Sequence, residues 1–251
     1  MENIPADFRA GYAALIGLPN AGKSTLMNSI LDIKLSIISP KPQTTRRRVL
    51  GILNREKAQA VFLDTPGILK PRYELQKKMM EHVDRALADA DVILLIIDAA
   101  EKKHPLDINL KEMNKQSKPV LLLLNKIDLM PKQDLLSLIE VYSKFYSFKA
   151  VIPLSALKND GIALLEEELF KLLPFSPPYY PPDILTDQPE RFFAAEIIRE
   201  QIFNMFYQEI PYAVEVVIDE FKERQKGKDF ISAIIMVERK TQKGILTDNS
   251  G

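Results

Sequence analysis

Apolar residues occur in six short runs over the first two thirds of the chain. Two of these runs, Val92–Ile97 and Val120–Leu124, are apolar at every position, as expected for parallel strands that are buried on both faces. The turn-like Asn54–Lys57 separates two others, which predicts a hairpin at that point. The six predicted strands are Gly11–Gly17, Val49–Asn54, Ala58–Leu63, Val92–Ile97, Val120–Leu124 and Ala150–Leu154.

Between these runs lie segments with an apolar position every three or four residues, a period that predicts helices. Strands that alternate with helices predict an α/β fold: a mostly parallel six-stranded sheet with helices on both faces and a ligand at the carboxyl ends of the strands. The basic segment Lys34–Arg48 has no helical period and predicts a loop. The predicted helices are Ser24–Leu31, Tyr73–Leu87, Asp107–Lys115, Lys132–Tyr146 and Ile162–Leu173.

A proline-rich stretch divides the chain. Six of the sixteen residues from 174 to 189 are proline, so this stretch cannot form a helix or an inner strand. Beyond it, Glu190–Gln208 has a helical period, and two alternating segments, Val214–Ile218 and Ile231–Val237, predict strands of a small α+β unit. We therefore predict a first domain over residues 1–175, a stiff linker over 176–188 and a second domain over 189–251.

The composition narrows the class of protein. The 251 residues include no cysteine, which excludes disulfides and thiolate metal sites and fits a reducing compartment. The formal net charge is zero, so any binding of nucleic acid must come from a local patch. No apolar run approaches the length of a spanning helix, and the N-terminal residues lack a signal-peptide pattern. We expect a cytoplasmic protein without a transmembrane segment.

The segment Gly17–Thr25 matches the pattern G-x-x-x-x-G-K-[S/T] between a predicted strand and a predicted helix, the setting of a phosphate-binding loop. Backbone N–H groups and the helix N-terminus would hold the phosphates. In such loops the lysine, here Lys23, reaches the β- and γ-phosphates, and the hydroxyl, here Ser24, binds Mg²⁺. A tight turn that needs glycine only for its geometry is the alternative. The candidate phosphate-binding residues are Gly17, Pro19, Asn20, Ala21, Gly22, Lys23, Ser24 and Thr25.

A second motif, Asp64-Thr65-Pro66-Gly67, directly follows a predicted strand. The carboxylate of Asp64 can hold Mg²⁺ through water, and the N–H of Gly67 can contact the γ-phosphate. A loop with both contacts would sense hydrolysis of that phosphate.

A third motif, Asn125-Lys126-Ile127-Asp128, also ends a strand. The carboxylate of Asp128 matches the N1–H and N2–H₂ donors of guanine, a pair that adenine lacks. Lys126 can cover the base, and Asn125 can tie this loop to the phosphate loop. Ser155-Ala156 follows another strand and would place the N–H of Ala156 at guanine O6.

These four motifs resemble those of the translation-factor-like GTPases, in the branch that contains Era, the tRNA-modification GTPase and the tandem-domain ribosome-assembly GTPases. The resemblance implies GTP, GDP and Mg²⁺ as ligands. The segment Pro40–Arg46 is similar to the first switch of the Era family, in which a threonine binds Mg²⁺ when GTP is present. Thr44 and Thr45 are both candidates for this role, and we favour Thr45.

Ile68 occupies the position at which relatives such as Ras carry a water-orienting glutamine. An aliphatic side chain cannot orient water, so catalysis must depend on electrostatics and slow hydrolysis is expected. In related GTPases an asparagine at the position of Asn20 helps to bind K⁺ beside the phosphates. The resemblance therefore implies a K⁺ ligand at Asn20, although this side chain could equally brace the loop.

The resemblance continues beyond the prolines. The segments Glu190–Glu200, Glu209–Tyr212 and Val237–Leu246 are very similar to the opening of the type II KH domain of the Era family. This implies binding of small-subunit ribosomal RNA near its 3′ end and a role in assembly of the small ribosomal subunit. It also implies a monomer, with some peripheral association at the inner membrane.

One departure concerns RNA binding. A KH domain holds RNA with a G-x-x-G loop and the helix that follows it. Here the last residues are Thr247-Asp248-Asn249-Ser250-Gly251, without the first glycine at the expected position. Residues 189–251 include 9 Lys or Arg and 11 Asp or Glu, a net charge of −2. We therefore expect a KH domain that is incomplete at its C-terminus.

Three alternatives stay open on the residues alone. A P-loop kinase or ATPase is disfavoured by the guanine-specific Asn125–Asp128 motif. A module that senses nucleotide with negligible turnover is compatible with Ile68. A tRNA-modification GTPase would need a surrounding helical domain and a C-terminal cysteine, and the chain has no cysteine.

Overall fold

The structure is a computed structural model that describes residues 5–101, 117–224 and 226–248. The described residues form two compact units. The first unit comprises Met1–Ser36 and Thr45–Asp187, and the second comprises Ile37–Thr44 and Gln188–Gly251. The predicted helix Asp107–Lys115 lies outside the described residues.

The first unit contains a six-stranded sheet in the order β2-β3-β1-β4-β5-β6. The β2 and β3 strands form the predicted antiparallel hairpin, and all other neighbours are parallel, which confirms the predicted mostly parallel sheet. The strands are β1 Arg9–Gly17, β2 Val49–Arg55, β3 Ala58–Asp64, β4 Val92–Asp98, β5 Val120–Asn125 and β6 Ala150–Pro153.

Helices cover both faces of this sheet. The apolar sides of α2 and α3 pack with Ile16, Ile52 and Leu95 in one core cluster. The α1 helix packs on the opposite face, because successive residues of a strand point to opposite sides and a Cβ at Gly51, next to Ile52, would lie 2.5 Å from Leu31 of α1. The helices of this unit are α1 Lys23–Leu31, α2 Glu74–Asp89, α3 Lys132–Phe145 and α4 Ile162–Leu172.

The proline-rich segment predicted as a linker forms no helix or strand, and its residues up to Asp187 pack on the first unit. The N–H of Ile52 donates to the carbonyl of Leu185 at 2.8 Å, and the hydroxyl of Thr186 donates to the carbonyl of Leu50 at 2.7 Å. The segment therefore follows β2, rather than spanning open solvent, before the chain enters the second unit.

The second unit is an α+β arrangement, as predicted. The β7 and β8 strands pair antiparallel, with an irregularity between Ile218 and Glu220, and Ile202 and Phe206 belong to a small core cluster with Val214. The predicted helix to Gln208 ends earlier, at Met205, because Phe206 is extended and Gln208 has a left-handed backbone. The elements are α5 Glu190–Met205, β7 Val214–Lys222, β8 Phe230–Val237 and α6 Lys240–Asp248.

Candidate nucleotide-binding site

The predicted phosphate loop joins β1 to α1. Asn20 and Gly22 both have left-handed backbones, with φ of 63° and 98°. A Cβ at Gly17 would lie 2.3 Å from the carbonyl oxygen of Ile96, and one at Gly22 would lie 2.1 Å from Nδ2 of Asn125. Close approach therefore requires both glycines, and the backbone shape also requires Gly22. Pro19, Asn20 and Ala21 form the loop, and Lys23, Ser24 and Thr25 form the first turn of α1.

Lys23 is buried under this loop. Its Nζ donates to the carbonyl oxygens of Gly17 at 3.1 Å and Leu18 at 2.8 Å. Burial lowers the pKa of Lys23 to about 8, and the Asp64 carboxylate opposes this change. An anion beside Nζ would restore the charged form, so the site is suited to phosphate.

Three oxygen-bearing side chains meet beside Lys23. The hydroxyl of Ser24 donates to Oδ2 of Asp64 at 2.8 Å. The Oγ1 atom of Thr45 lies 3.0 Å from Oγ of Ser24 and donates to Oδ2 of Asp64 at 3.5 Å. Asp64, Ser24 and Thr45 offer only oxygen atoms, the ligands that Mg²⁺ prefers.

Asp64 is fully buried, with 0% of its surface exposed. Burial raises the pKa of its carboxyl group, and Lys23 and Ser24 oppose that change. Its Oδ1 atom makes no hydrogen bond to a described residue. A buried carboxylate oxygen of this kind has unused capacity to accept from a water of a bound cation, so these residues fit Mg²⁺. Among the described residues no three acidic or histidine side chains are grouped so that they could hold a metal ion, so further ligands would have to be water or phosphate.

The two candidate threonines differ in this structure. Thr45 is 8% exposed and lies with Ser24 and Asp64. The side chain of Thr44 makes no hydrogen bond to a described residue, and its carbonyl oxygen accepts from Arg199. The geometry therefore favours Thr45 over Thr44 as the metal ligand.

The loop after β3 lies directly against the phosphate loop. A Cβ at Gly67 would lie 2.5 Å from the backbone nitrogen of Pro19, so only glycine fits. The N–H of Ile68 donates to the carbonyl of Gly17 at 3.0 Å, and its side chain is half-buried against the core cluster. Ile68 has no polar group with which to orient water.

The predicted base-binding loops are linked through Asn125. Its Nδ2 donates to the carbonyl of Ala21 at 2.8 Å, which is the tie to the phosphate loop that the sequence indicates. Asp128 is exposed on a short 3₁₀ turn, Ile127–Leu129, and its Oδ1 accepts from the hydroxyl of Ser155 at 2.6 Å. The carboxylate is thus oriented by Ser155 and open on its other oxygen.

Ala156 lacks the free N–H that the predicted contact with guanine O6 requires. Its N–H, predicted to bind guanine O6, donates to Oδ1 of Asn125 at 3.0 Å and is buried. The reason is that the side-chain amide of Asn125 donates to Ala21 through its nitrogen and accepts from Ala156 through its oxygen. The next N–H along the chain, that of Leu157, donates to no described residue.

One residue that sequence reasoning missed is Asp98, at the carboxyl end of β4. Its Oδ2 atom pairs with Nζ of Lys126 at 2.6 Å and so fixes the direction of the lysine that would cover the base. The strand pattern of the sequence could have indicated Asp98, because this residue ends a strand that is parallel to those that carry the other loops.

A mostly parallel sheet that carries a G-x-x-x-x-G-K-[S/T] loop after β1, a buried aspartate after β3 and an Asn-Lys-x-Asp loop after β5 has the arrangement of a P-loop GTPase domain. A family model for 50S ribosome-binding GTPases matches residues 12–126. The GTPase Era of Syntrophus aciditrophicus is 47% identical over 246 residues, which cover 97% of this chain and 80% of that protein. The GTPase Era of Geotalea uraniireducens is 46% identical over 245 residues, with 97% and 82% covered. The chain belongs to the GTPase Era family.

Two solved structures agree with this assignment. A point variant of Aquifex aeolicus Era bound to GDP·AlF₄⁻ superposes with a TM-score of 0.87 at 40% identity, over 95% of this chain and 82% of that one. A structure of Era with MgGDPNP and nucleotides 1506–1542 of 16S ribosomal RNA gives a TM-score of 0.89 at 40% identity, over the same shares. Both matches extend beyond the first unit, so the Era-like fold includes the second. Across the described residues, no helix is both long and apolar enough to cross a bilayer.

Proposed function

We propose that this chain is a GTP-hydrolysing switch that binds small-subunit ribosomal RNA near its 3′ end and acts in assembly of the small ribosomal subunit. The observation that carries the proposal is the meeting of Ser24, Thr45 and Asp64 beside Lys23. A magnesium ion held there would neutralise charge on the β- and γ-phosphates. The relatives that bind GDP·AlF₄⁻ and MgGDPNP support GTP, GDP and Mg²⁺ as ligands.

Each site residue has a defined task in this proposal. The N–H groups of the phosphate loop and the ammonium group of Lys23 hold the β- and γ-phosphates. The oxygens of Ser24, Thr45 and Asp64 hold Mg²⁺ directly or through water, and the N–H of Gly67 senses the γ-phosphate. Asp128 accepts from guanine N1 and N2, and Lys126 covers the base. The N–H of Leu157 takes the O6 contact, because that of Ala156 is used by Asn125.

Base selection distinguishes this proposal from a P-loop kinase or ATPase. Adenine would leave the carboxylate of Asp128 without donors, which a site of this kind rejects strongly. Competition of unlabelled GTP and ATP against a fluorescent GDP analogue tests the point. We expect displacement by GTP at concentrations at least a hundredfold lower than by ATP, on the order of the discrimination set by one unpaired polar group. Equal displacement would exclude the guanine assignment.

Potassium is the second part of the proposal. Because Ile68 stands in place of a glutamine and cannot orient water, extra positive charge beside the phosphates is a further way to stabilise the transition state. We propose that Asn20 contributes a ligand to K⁺. Its backbone in the phosphate loop is left-handed. Single-turnover hydrolysis in KCl and in NaCl at equal ionic strength tests this, with N20A as the matched variant. Equal rates in the two salts exclude a K⁺ role. Absence of turnover in both supports instead a module that only senses nucleotide.

RNA binding rests on the family and on the solved Era–RNA structure. The test is binding of an oligonucleotide from the 3′ end of small-subunit ribosomal RNA to the full chain, with a GTP analogue and with GDP. We expect tighter binding with the analogue and a strong dependence on salt, because phosphate contacts release counterions. Failure to bind in both states would remove the RNA function from this chain while leaving the GTPase function in place. A cytoplasmic monomer with some peripheral membrane association stays our prediction for location and assembly.

A further inference from the structure

The segment Ile37–Thr44 belongs to the second unit, although the residues before and after it belong to the first. It is held along α5 at three points. At the first, the N–H of Ile38 donates to Oε1 of Glu200 at 3.3 Å. The segment directly precedes Thr45, so the contacts that hold its last residue, Thr44, also restrict the backbone at Thr45.

Lys41 makes the second attachment, at the carboxyl end of α5. Its Nζ donates to the carbonyl oxygens of Phe203 and Phe206 and lies 4.3 Å from the ring centre of Tyr207. Carbonyls at a helix end lack partners within the helix and carry partial negative charge, so an ammonium group is well placed there.

Arg199 makes the third attachment. Its side chain is buried, with the residue only 4% exposed, and it forms a two-pronged ion pair with Glu196 at 2.6 and 2.7 Å. The Nη2 atom also donates to the carbonyl oxygen of Thr44 at 2.5 Å. A planar guanidinium group that is held by a carboxylate has little freedom left, so it fixes the carbonyl that it binds.

The carbonyl of Thr44 and the N–H of Thr45 belong to one rigid peptide plane. A hydrogen bond that fixes this carbonyl therefore also fixes the direction in which the chain continues into Thr45. Oγ1 of Thr45 then lies 3.0 Å from Oγ of Ser24. The contact between Arg199 and the Thr44 carbonyl is thus one residue away from the proposed metal ligand.

We propose that Arg199 is a positioning residue for GTP turnover, acting through the Thr44–Thr45 peptide to direct the Thr45 hydroxyl to the magnesium site. This inference rests on the proposed GTPase function. It separates two properties of the chain: GDP binding, which uses the phosphate loop and Asp128, and turnover, which also uses Thr45. Substitution of Arg199 should therefore lower turnover and leave GDP binding unchanged.

The test compares R199M with wild type in single-turnover GTP hydrolysis over a range of Mg²⁺ concentrations, together with GDP affinity. We expect a rate about tenfold lower and a higher Mg²⁺ requirement, the size of effect that supporting residues have at metal sites, with GDP affinity unchanged within about twofold. The control is R191M, which removes an exposed arginine from the first turn of the same helix and should behave as wild type.

A double-mutant cycle shows whether Arg199 acts through Thr45. If it does, R199M should have little further effect in a T45A background. Independent, multiplicative effects of the two substitutions would overturn the inference, as would equal rates for R199M and wild type at every Mg²⁺ concentration. Wild type that does not hydrolyse GTP at all would instead overturn the proposed function.

R199M leaves Glu196 without its partner and could fail to fold. Two further variants then decide the question. E196Q removes the charge that holds the guanidinium, and K41M releases the middle of the segment from the carboxyl end of α5. If both variants keep their helical circular dichroism and both reduce the rate with GDP affinity unchanged, the inference is supported. If both turn over GTP as wild type does, it is overturned.

Discussion

The hydroxyl oxygens of Ser24 and Thr45 lie 3.0 Å apart, although 21 residues separate them in the chain. Ser24 is fixed by the first turn of α1, and Thr45 is brought to it by the irregular segment before β2. Both hydroxyls donate to the same carboxylate oxygen of Asp64. The side chains proposed to bind Mg²⁺ are therefore already grouped by protein contacts alone.

This grouping predicts different effects for the two adjacent threonines. T45A removes a proposed metal ligand and should lower the GTP hydrolysis rate at least about tenfold, by analogy with the loss of groups around metal sites. T44A removes a side chain without such contacts and keeps the carbonyl that Arg199 binds, so it should behave nearly as wild type. Single-turnover hydrolysis of GTP at fixed Mg²⁺ measures both.

The affinity for GDP is the control for these two variants. It should be unchanged in T45A, because the phosphate loop and Asp128 are intact. A larger loss of turnover in T44A than in T45A would contradict the assignment and make Thr44 the ligand.

The low pKa of Lys23 predicts that nucleotide affinity depends on pH. In the free protein burial holds the pKa of this ammonium at about 8, with Asp64 opposing. Bound phosphate favours the charged form and raises that pKa. Binding therefore takes up a proton at pH values between the free and the bound pKa of Lys23. GDP affinity should fall by up to about tenfold per pH unit above pH 8, and this contribution of Lys23 should vanish well below pH 8.

Titration calorimetry in buffers of different ionisation enthalpy measures the proton uptake directly. The K23A variant is the matched control, because it lacks the titrating amine but binds the same base. Guanine itself loses a proton at alkaline pH, and that effect persists in K23A. The same pH dependence in K23A and wild type would show that Lys23 is not the titrating group.

Much of the site could be predicted because its residues are local in sequence. The phosphate loop requires glycines at Gly17 and Gly22 for close approach. The buried strand that carries Asn125 is a continuous apolar run, and the one that carries Asp64 is apolar except for Gln59. Parallel strands bring their carboxyl ends together, so the positions of these loops follow from the strand pattern.

Long-range polar contacts could not be predicted. Arg199 and Thr44 are 155 residues apart, and a lone arginine within a helical pattern is indistinguishable from a solvated one. The hydrogen bond from the N–H of Ala156 to the amide oxygen of Asn125 depends on how closely the loops after β5 and β6 approach each other. The proline-rich segment has the composition of a free spacer, and only the partners provided by β2 and β3 show that it is packed.

Asp128 leads to a prediction about the identity of the base. In D128N one acceptor becomes an amide donor, which matches the C2 carbonyl of xanthine and repels the amino group of guanine. GTP affinity should fall on the order of 10³-fold, somewhat less than in fully enclosed sites because Asp128 is exposed, and affinity for XTP should rise. Competition binding with GTP and XTP measures the exchange. D134N, which changes another exposed carboxylate at the start of α3, should alter neither affinity.

The hydrogen bonds of Gln59 lead to a prediction about how strongly the proline-rich segment is attached to the first unit. It is fully buried, and its amide donates to Asn54 at 2.7 Å and to the carbonyl of Tyr180 at 2.8 Å, while its oxygen accepts from the N–H groups of Tyr179 at 2.7 Å and Tyr180 at 3.0 Å. In Q59L these backbone groups lose their partners, and each one that stays buried costs about 1–3 kcal/mol.

We therefore expect Q59L to lower the free energy of unfolding of the first unit by about 1–3 kcal/mol, measured as a lower midpoint in urea with GDP bound. Protease cleavage within residues 176–187 should also become faster, because the segment would open locally before the sheet unfolds. The matched control is Q133L, the same change at an exposed position of α3, which should shift the midpoint little. If Q59L keeps both the wild-type midpoint and the wild-type cleavage rate, the hydrogen bonds of Gln59 do not hold the segment in place.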